Sequence, residues 1–255
     1  MLKRLLRLLR DVRLYLRFPY RCYGCFRGVF ATFEEATSAA PKTKPLGYDD
    51  PRLAQEYKQD LDKKAREYDY PVLFWLKDLI GPGARVFDLG GNVGTHFYTY
   101  EKYLEYPPDI GWTVCDVPAI ARTGEELARA EGRQELTFTT QPEEADGAHI
   151  FIASGSIQYI YSLSDFLSSL PVKPRHLLLN RLPLYNGEQF VTLQNGGQVF
   201  YPQYVFNKDE FMGSIGRLGY KLVDMWNDRI DSCIIPFHPS RSLPYYYGCY
   251  FKCVA

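Results

Sequence analysis

The sequence carries no net charge: 30 basic residues are balanced by 30 acidic ones. That balance excludes a nucleic-acid groove running over the whole chain, which would need a basic surface. No apolar run reaches the ~20 residues of a membrane-spanning helix, because arginines interrupt each one near the N terminus. The same interruptions exclude a secretory leader, so a cytoplasmic protein with reduced thiols is expected. There is no internal repeat, no low-complexity tract and no Gly-Lys-Ser/Thr, which excludes a P-loop.

The composition is otherwise that of a folded α/β chain of 255 residues, 46% hydrophobic and 24% charged. Tyrosine is abundant, with 21 residues, which suits a Tyr-rich core and loops or a ring-stacking cleft. Charge is unevenly placed. Residues 1–30 hold eight basic residues against Asp11 alone, so the remainder is mildly acidic. In "MLKRLLRLLRDVRLYLRF", Leu2, Leu5, Leu6, Leu9, Val12 and Leu16 share one helical face, with Lys3, Arg7, Arg10 and Arg17 largely opposite. Two occupants suit such a helix: an anionic membrane surface contacted through residues 1–18, or its own domain or a partner subunit.

Cys22-x-x-Cys25 and Cys249-x-x-x-Cys253 resemble two halves of a zinc site. The even spacing of the second pair in a strand reads instead as buried small residues, and no metal is expected.

The spacing divides the chain into a basic amphipathic helix (1–20), a helical region (21–80) and a larger domain (81–255). Residues 22–50 combine a short aromatic segment, a helix near 32–40 and a Pro/Lys linker. Further helices are expected over 51–80. Strands are then predicted near 85–89, 111–115, 135–139, 148–153 and 176–180, with helices near 95–105, 118–131 and 162–170. This alternation means βαβ units and a mostly parallel sheet. A helix near 208–218 and two final strands with no helix between them predict an antiparallel closure.

"VFDLGGNVGTH" ends a strand and opens a helix, placing glycines and a helix N-terminus beside a ligand. The dinucleotide pattern G-x-G-x-x-G fails here in both registers, which argues against an NAD-linked oxidoreductase. The observed pattern, Asp88-x-Gly90-Gly91-Asn92-x-Gly94, looks like the first motif of class I S-adenosylmethionine (SAM) methyltransferases. Asp88 is expected to orient the ammonium end of that ligand, with Gly90 leaving room for it. Asp116, at the end of the next strand, is expected to accept the ribose hydroxyls. The fourth strand ends in Ser154-Gly-Ser156-Ile-Gln158-Tyr159 and the fifth in Asn180-Arg181, which puts small and polar groups on one rim.

Together with "GCFRGVFATFEEA", "SGSIQYI", "LLLNRLP", "TLQNGG" and "FMGSIGRLGYKLVD", these segments resemble a bacterial family of SAM-dependent methyltransferases found near surface-polysaccharide genes. The resemblance covers nearly the whole chain after the basic helix. It implies a Rossmann-like fold with a seven-stranded, mostly parallel sheet, an antiparallel C-terminal strand and an N-terminal helical extension. It implies SAM as cofactor and, by association, a glycan, glycolipid or small-molecule acceptor methylated on oxygen, in the cytoplasm or at the inner face of its membrane. Asn92 stands where a glycine is usual, and it tolerates a left-handed turn. Ser154 and Ser156 are expected on the cofactor side. His96, Gln158, Tyr159 and Arg181 are expected on the catalytic side: His96 and His238 as bases, Gln158 and Tyr159 orienting a hydroxyl, Arg181 gripping an anion. His149 and His176 read as structural. The absence of a clear base keeps open a catalytically inactive binding or scaffolding protein.

Overall fold

The computed structural model describes residues 2–59, 61 and 64–254. Residues 60, 62 and 63, within the helical region expected over 51–80, lie outside the described residues. The chain begins with α1 (Leu2–Arg17), β1 (Cys25–Phe30), α2 (Phe33–Ser38), α3 (Pro51–Gln59) and α4 (Tyr70–Leu79). Regular βα alternation follows: β2 (Arg85–Leu89), α5 (Thr95–Tyr100), β3 (Gly111–Cys115), α6 (Pro118–Ala130), β4 (Leu136–Thr139), β5 (Ile150–Ser154), α7 (Leu163–Ser169) and β6 (His176–Leu182). The C-terminal part holds β7 (Leu184–Tyr185), β8 (Phe190–Asn195), β9 (Phe200–Asn207), α8 (Lys208–Arg217), β10 (Tyr220–Asp228) and β11 (Tyr246–Cys253).

Local chemistry sets several of these boundaries. Thr32, Ser162 and Asn207 each cap a helix, their side chains accepting from the backbone N–H of Glu35, Asp165 and Glu210. Proline opens α3 and α6, where its missing N–H costs nothing. Gly219, at φ +89°, turns the chain out of α8.

The large sheet runs β10-β11-β6-β5-β2-β3-β4. β2 to β6 are parallel, and β11 is antiparallel to both neighbours. This is the seven-stranded sheet with one antiparallel C-terminal strand that the family resemblance implies. β2, β5 and β6 are buried on both faces, as βαβ crossovers require, while β3 and the edge strand β4 leave Thr113 and Thr137 more open. One face carries Phe87, Leu89, Phe151, Ala153, Leu177 and Leu179 against α7 and α8. The other carries Val86, Trp112, Val114, Ile150, Ile152 and Leu178 against α4 and α5.

The region over 21–80 is not purely helical. β1 joins a second, four-stranded sheet of order β1-β8-β9-β7. Its strands come from two distant parts of the chain, with Phe26 opposite Gln194 and Cys25 opposite Asn195. The inner face of this small sheet meets the large domain: Phe190 and Val205 pack with Cys233, Ile235, Leu243 and Tyr246. The outer face packs Leu193 and Phe200 against Phe18, just beyond α1.

The thiol expectation also needs correction. Cys22 and Cys25 form a disulfide across the turn that leads into β1, while Cys115, Cys233, Cys249 and Cys253 are free. Cys249 is buried, but Cys253 at the strand end is only partly so.

Candidate active site

The turn after β2 has three left-handed residues: Gly90 at φ +72°, Asn92 at +56° and Gly94 at +91°. Asparagine is among the few side chains that occupy this region readily, which explains its place in the motif. The Asn92 N–H donates to Asp116 Oδ2 at 3.0 Å, and the Val117 N–H donates to Asp116 Oδ1 at 2.8 Å. The glycine turn and the acid ending the next strand are therefore tied together. Burial raises the Asp116 pKa to about 6, against the lowering effect of its two backbone donors. α3 lies alongside, with Ala54 packed on Val93 and Ile120.

Asp88 does not face this mouth. Strand alternation gives it the direction of Val86, into the apolar layer beneath α5. It is fully buried. Both of its oxygens accept from His96 Nδ1 at 3.0 Å, and Oδ2 also accepts from Trp112 Nε1 at 3.3 Å. A Cβ on Gly91 would lie 2.4 Å from Asp88 Oδ2, so the carboxylate supports the turn from below. Asp88, expected beside an ammonium group, is paired here with His96 and Trp112.

His96 lies beneath the turn with it. Its imidazole is buried and pairs through Nδ1 with Asp88, which leaves only Nε2 for any proton transfer. Burial pushes its pKa down, and the Asp88 charge and hydrogen bond outweigh that, leaving it raised.

The serines of the fourth parallel strand have structural partners. Ser156 Oγ donates to the Leu89 carbonyl at 2.6 Å and occupies the space a Gly90 side chain would need: a Cβ there would lie 2.5 Å from Ser156 Cβ. The space Gly90 leaves is thus filled by Ser156. Ser154 Oγ, buried, accepts from Asn180 Nδ2 at 3.2 Å and links β5 to β6.

Arg181 is where β6 breaks register with β11, between the Leu179–Cys249 and Leu182–Tyr247 pairs. Its φ is +57°, strained for a side chain of this size, and such irregularities re-aim residues at functional rims. The guanidinium crosses above Gly155, donates from Nε to Asp231 and lies 4.6 Å from the Tyr68 ring centre. It is therefore not the unpaired anion grip expected of it. Burial lowers the Asp231-paired guanidinium's pKa, and Asp231 more than restores it. Asp228, next to Asp231, is raised to about 6 by burial and by the Asp231 charge.

Gln158 and Tyr159 sit in a short 3-10 turn between β5 and α7. Gln158 is 4% exposed, and its Oε1 has no hydrogen-bond partner among the described residues. Tyr159 OH accepts from Tyr48 OH at 2.8 Å, and both rings pack against Tyr201 of β9. Sequence reasoning missed Tyr48, Tyr68, Tyr201 and Asp231. Each reaches the rim from a remote segment, and only the high tyrosine content hinted at them. His238, the other expected base, precedes a surface 3-10 turn without capping it through its side chain.

With this geometry established, solved structures give the fold. A SAM-dependent methyltransferase from Aquifex aeolicus is 14% identical, with TM-score 0.52, over 81% of this chain and 100% of that one. A 1,6-didemethyltoxoflavin-N1-methyltransferase from Burkholderia thailandensis, with bound 1,6-didemethyltoxoflavin and S-adenosylhomocysteine, is 15% identical, with TM-score 0.50, over 82% and 92%. An S-adenosylmethionine-dependent methyltransferase from Clostridium acetobutylicum is 10% identical, with TM-score 0.50, over 80% and 98%. The chain has the Rossmann-like methyltransferase fold. No protein-family model matches it, and no curated protein does. At these identities the likeness speaks for the fold alone.

Proposed function

We propose that the protein is a SAM-dependent methyltransferase acting on an oxygen of a glycan, glycolipid or small molecule. The observation that carries this reading is the hydrogen bond from Asn92 in the glycine turn to Asp116, at the ends of adjacent parallel strands in this fold. The residues fit the cofactor. Asp116 keeps lone pairs for two ribose hydroxyls, and the unpartnered Gln158 Oε1 supplies a further buried acceptor. S-adenosylmethionine, when bound, supplies an electrophilic methyl group.

The chain's own contribution is mainly positioning. Asp88 and His96 hold the turn from beneath, and Ser156 fixes Gly90 against the fourth parallel strand. Gln158, Tyr159 and the Arg181–Asp231 pair form the acceptor side, where Tyr48 and Tyr201 offer ring faces. Burial raises the Tyr159 pKa, so its hydroxyl orients an acceptor rather than taking its proton. Four free cysteines suit a reducing compartment, and we place the protein in the cytoplasm at a membrane's inner face; the Cys22–Cys25 bridge is the exception to that pattern.

Calorimetry with SAM, and with NAD as control, tests the cofactor. Asp116→Ala should weaken SAM binding by about 1–3 kcal/mol, the worth of hydrogen bonds to a charged group. Binding should also depend on pH. The carboxylate accepts two hydroxyls and the protonated acid gives up an acceptor, so affinity should be full above about pH 6 and fall as pH drops through that value. A flat pH profile in the parent protein would argue against Asp116 as the ribose partner. Mass spectrometry for a methylated product in host glycan extracts tests turnover, and its persistent absence despite SAM binding would favour a binding protein.

A further inference from the structure

α1 presents two unlike faces. The inner face docks on the body. Asp11 is buried, and its Oδ2 accepts from the Phe237 N–H at 3.1 Å. Just past the helix, Phe18 stacks on Phe200 at 5.2 Å, and its carbonyl accepts from Asn195 Nδ2 at 2.6 Å. Tyr15 meets the edge of Phe237 and receives a hydrogen bond from Arg27. These contacts turn the opposite face outward. There Leu5, Leu6, Leu9 and Leu16 are between 53% and 66% exposed, with Val12 at 39%. The leucine stripe is therefore left uncovered by the very contacts that fix the helix.

Charge decides what can cover it. By helical spacing Arg13 and Arg17 border the leucine stripe, Arg4 and Arg7 lie exposed further round the helix, and the only acid in the segment, Asp11, is buried and paired with Arg10. A second copy packed on this face would bring arginines together with no carboxylate between them. Lipid phosphates meet them with opposite charge. Tyr20 and Tyr23 follow the helix with exposed rings, the amphipathic type that suits the headgroup level. Among the described residues no helix is long and apolar enough to cross a membrane, so the helix would lie in the plane of the surface.

We propose that the outward face of α1, formed by Leu5, Leu6, Leu9, Val12 and Leu16, inserts into the headgroup layer of an anionic phospholipid bilayer, with the flanking arginines on lipid phosphates. The inner contacts through Asp11 and Phe18 persist in this state, so the whole domain is carried at a fixed tilt. The proposal stands independently of methyl transfer.

The test is co-sedimentation of the full chain with vesicles of equal parts phosphatidylglycerol and phosphatidylcholine, and with phosphatidylcholine alone. The parent protein should pellet with the anionic vesicles at low salt, be partly released at high salt, and pellet little with the neutral ones. The triple variant Leu5→Asp, Leu9→Asp, Leu16→Asp should lose binding by roughly two orders of magnitude or more. Its thermal midpoint should change little, because those side chains are mostly exposed and belong to no core cluster. Arg13→Ser with Arg17→Ser keeps the leucines and should weaken binding less while flattening its salt dependence. Failure of the parent protein to pellet with anionic vesicles at low salt overturns the proposal. So does equal binding by the triple variant, or a dimer in sedimentation velocity that only the triple variant dissolves.

Discussion

Asp88→Ala should lower the unfolding free energy by about 3–5 kcal/mol, the cost of removing one partner of a buried ion pair. That is a large share of the roughly 5–15 kcal/mol that holds a domain together. The size follows from the surroundings: Asp88 is fully buried, and its loss leaves the His96 and Trp112 N–H groups unpaired among Val86, Val114 and Ile152. Asp88→Asn keeps one accepting oxygen and should cost clearly less. Replacing both partners, as Asp88→Leu with His96→Phe, should recover much of the loss, because no orphaned polar group remains. The pair also predicts a pH dependence. Asp88 holds the His96 pKa above its usual 6.5, so this contribution is fully present below about pH 6.5 and is lost as pH rises through the folded-state value. Urea titrations of the three variants across pH give the comparison. An Asp88→Ala protein as stable as its parent would show that the pair contributes nothing.

Gly90→Val should abolish SAM binding to the calorimetric limit. Two causes coincide. The position has φ +72°, which a β-branched residue strongly resists, and its Cβ would overlap Ser156, displacing the turn that carries Gln158. The pair Gly90→Ala with Ser156→Gly separates them. It removes the overlap and leaves the backbone strain, about 1–2 kcal/mol, together with the loss of the Ser156–Leu89 hydrogen bond, so SAM binding should return in weakened form. If Gly90→Val binds SAM with undiminished affinity, this turn is not the cofactor's seat.

The five parallel strands were legible as short segments between turn signals, most clearly β5 and β6, whose burial on both faces writes them as apolar runs. β2 and β3 fall at the predicted residues, and β4, β5 and β6 within two. The small sheet was not legible. β8 and β9 mix Thr192, Gln194 and Gln203 with aromatic residues, and β1 is recognisable only through its distant partner. At the site, Asn92 and Asp116 could be placed from turn chemistry, since their roles depend on a few neighbouring residues. Asp88 could have been read better. Its even spacing from Val86 puts it on the same face as that residue, and with Phe87 and Leu89 opposite, both faces of the strand are apolar. The partners of Arg181 could not be found, because Tyr68 and Asp231 are brought to it only by the register break in β6 and the loop after β10.

The pairing of β1 with β8 bears on how the molecule is made. During synthesis β1 emerges early, yet Cys25 waits for Asn195 and Phe26 for Gln194, about two-thirds of the chain later. Closing so long a loop is slow, since its entropy must be spent before any contact repays it. Until then Phe18 lacks Phe200, Asp11 lacks the Phe237 amide, and α1 has no seat on the body. The nascent chain therefore carries a basic, leucine-faced helix free at its leading end while the βα units behind it fold. Whatever meets that helix first, a lipid surface or a chaperone, does so before the domain exists to hold it, and the small sheet closes last.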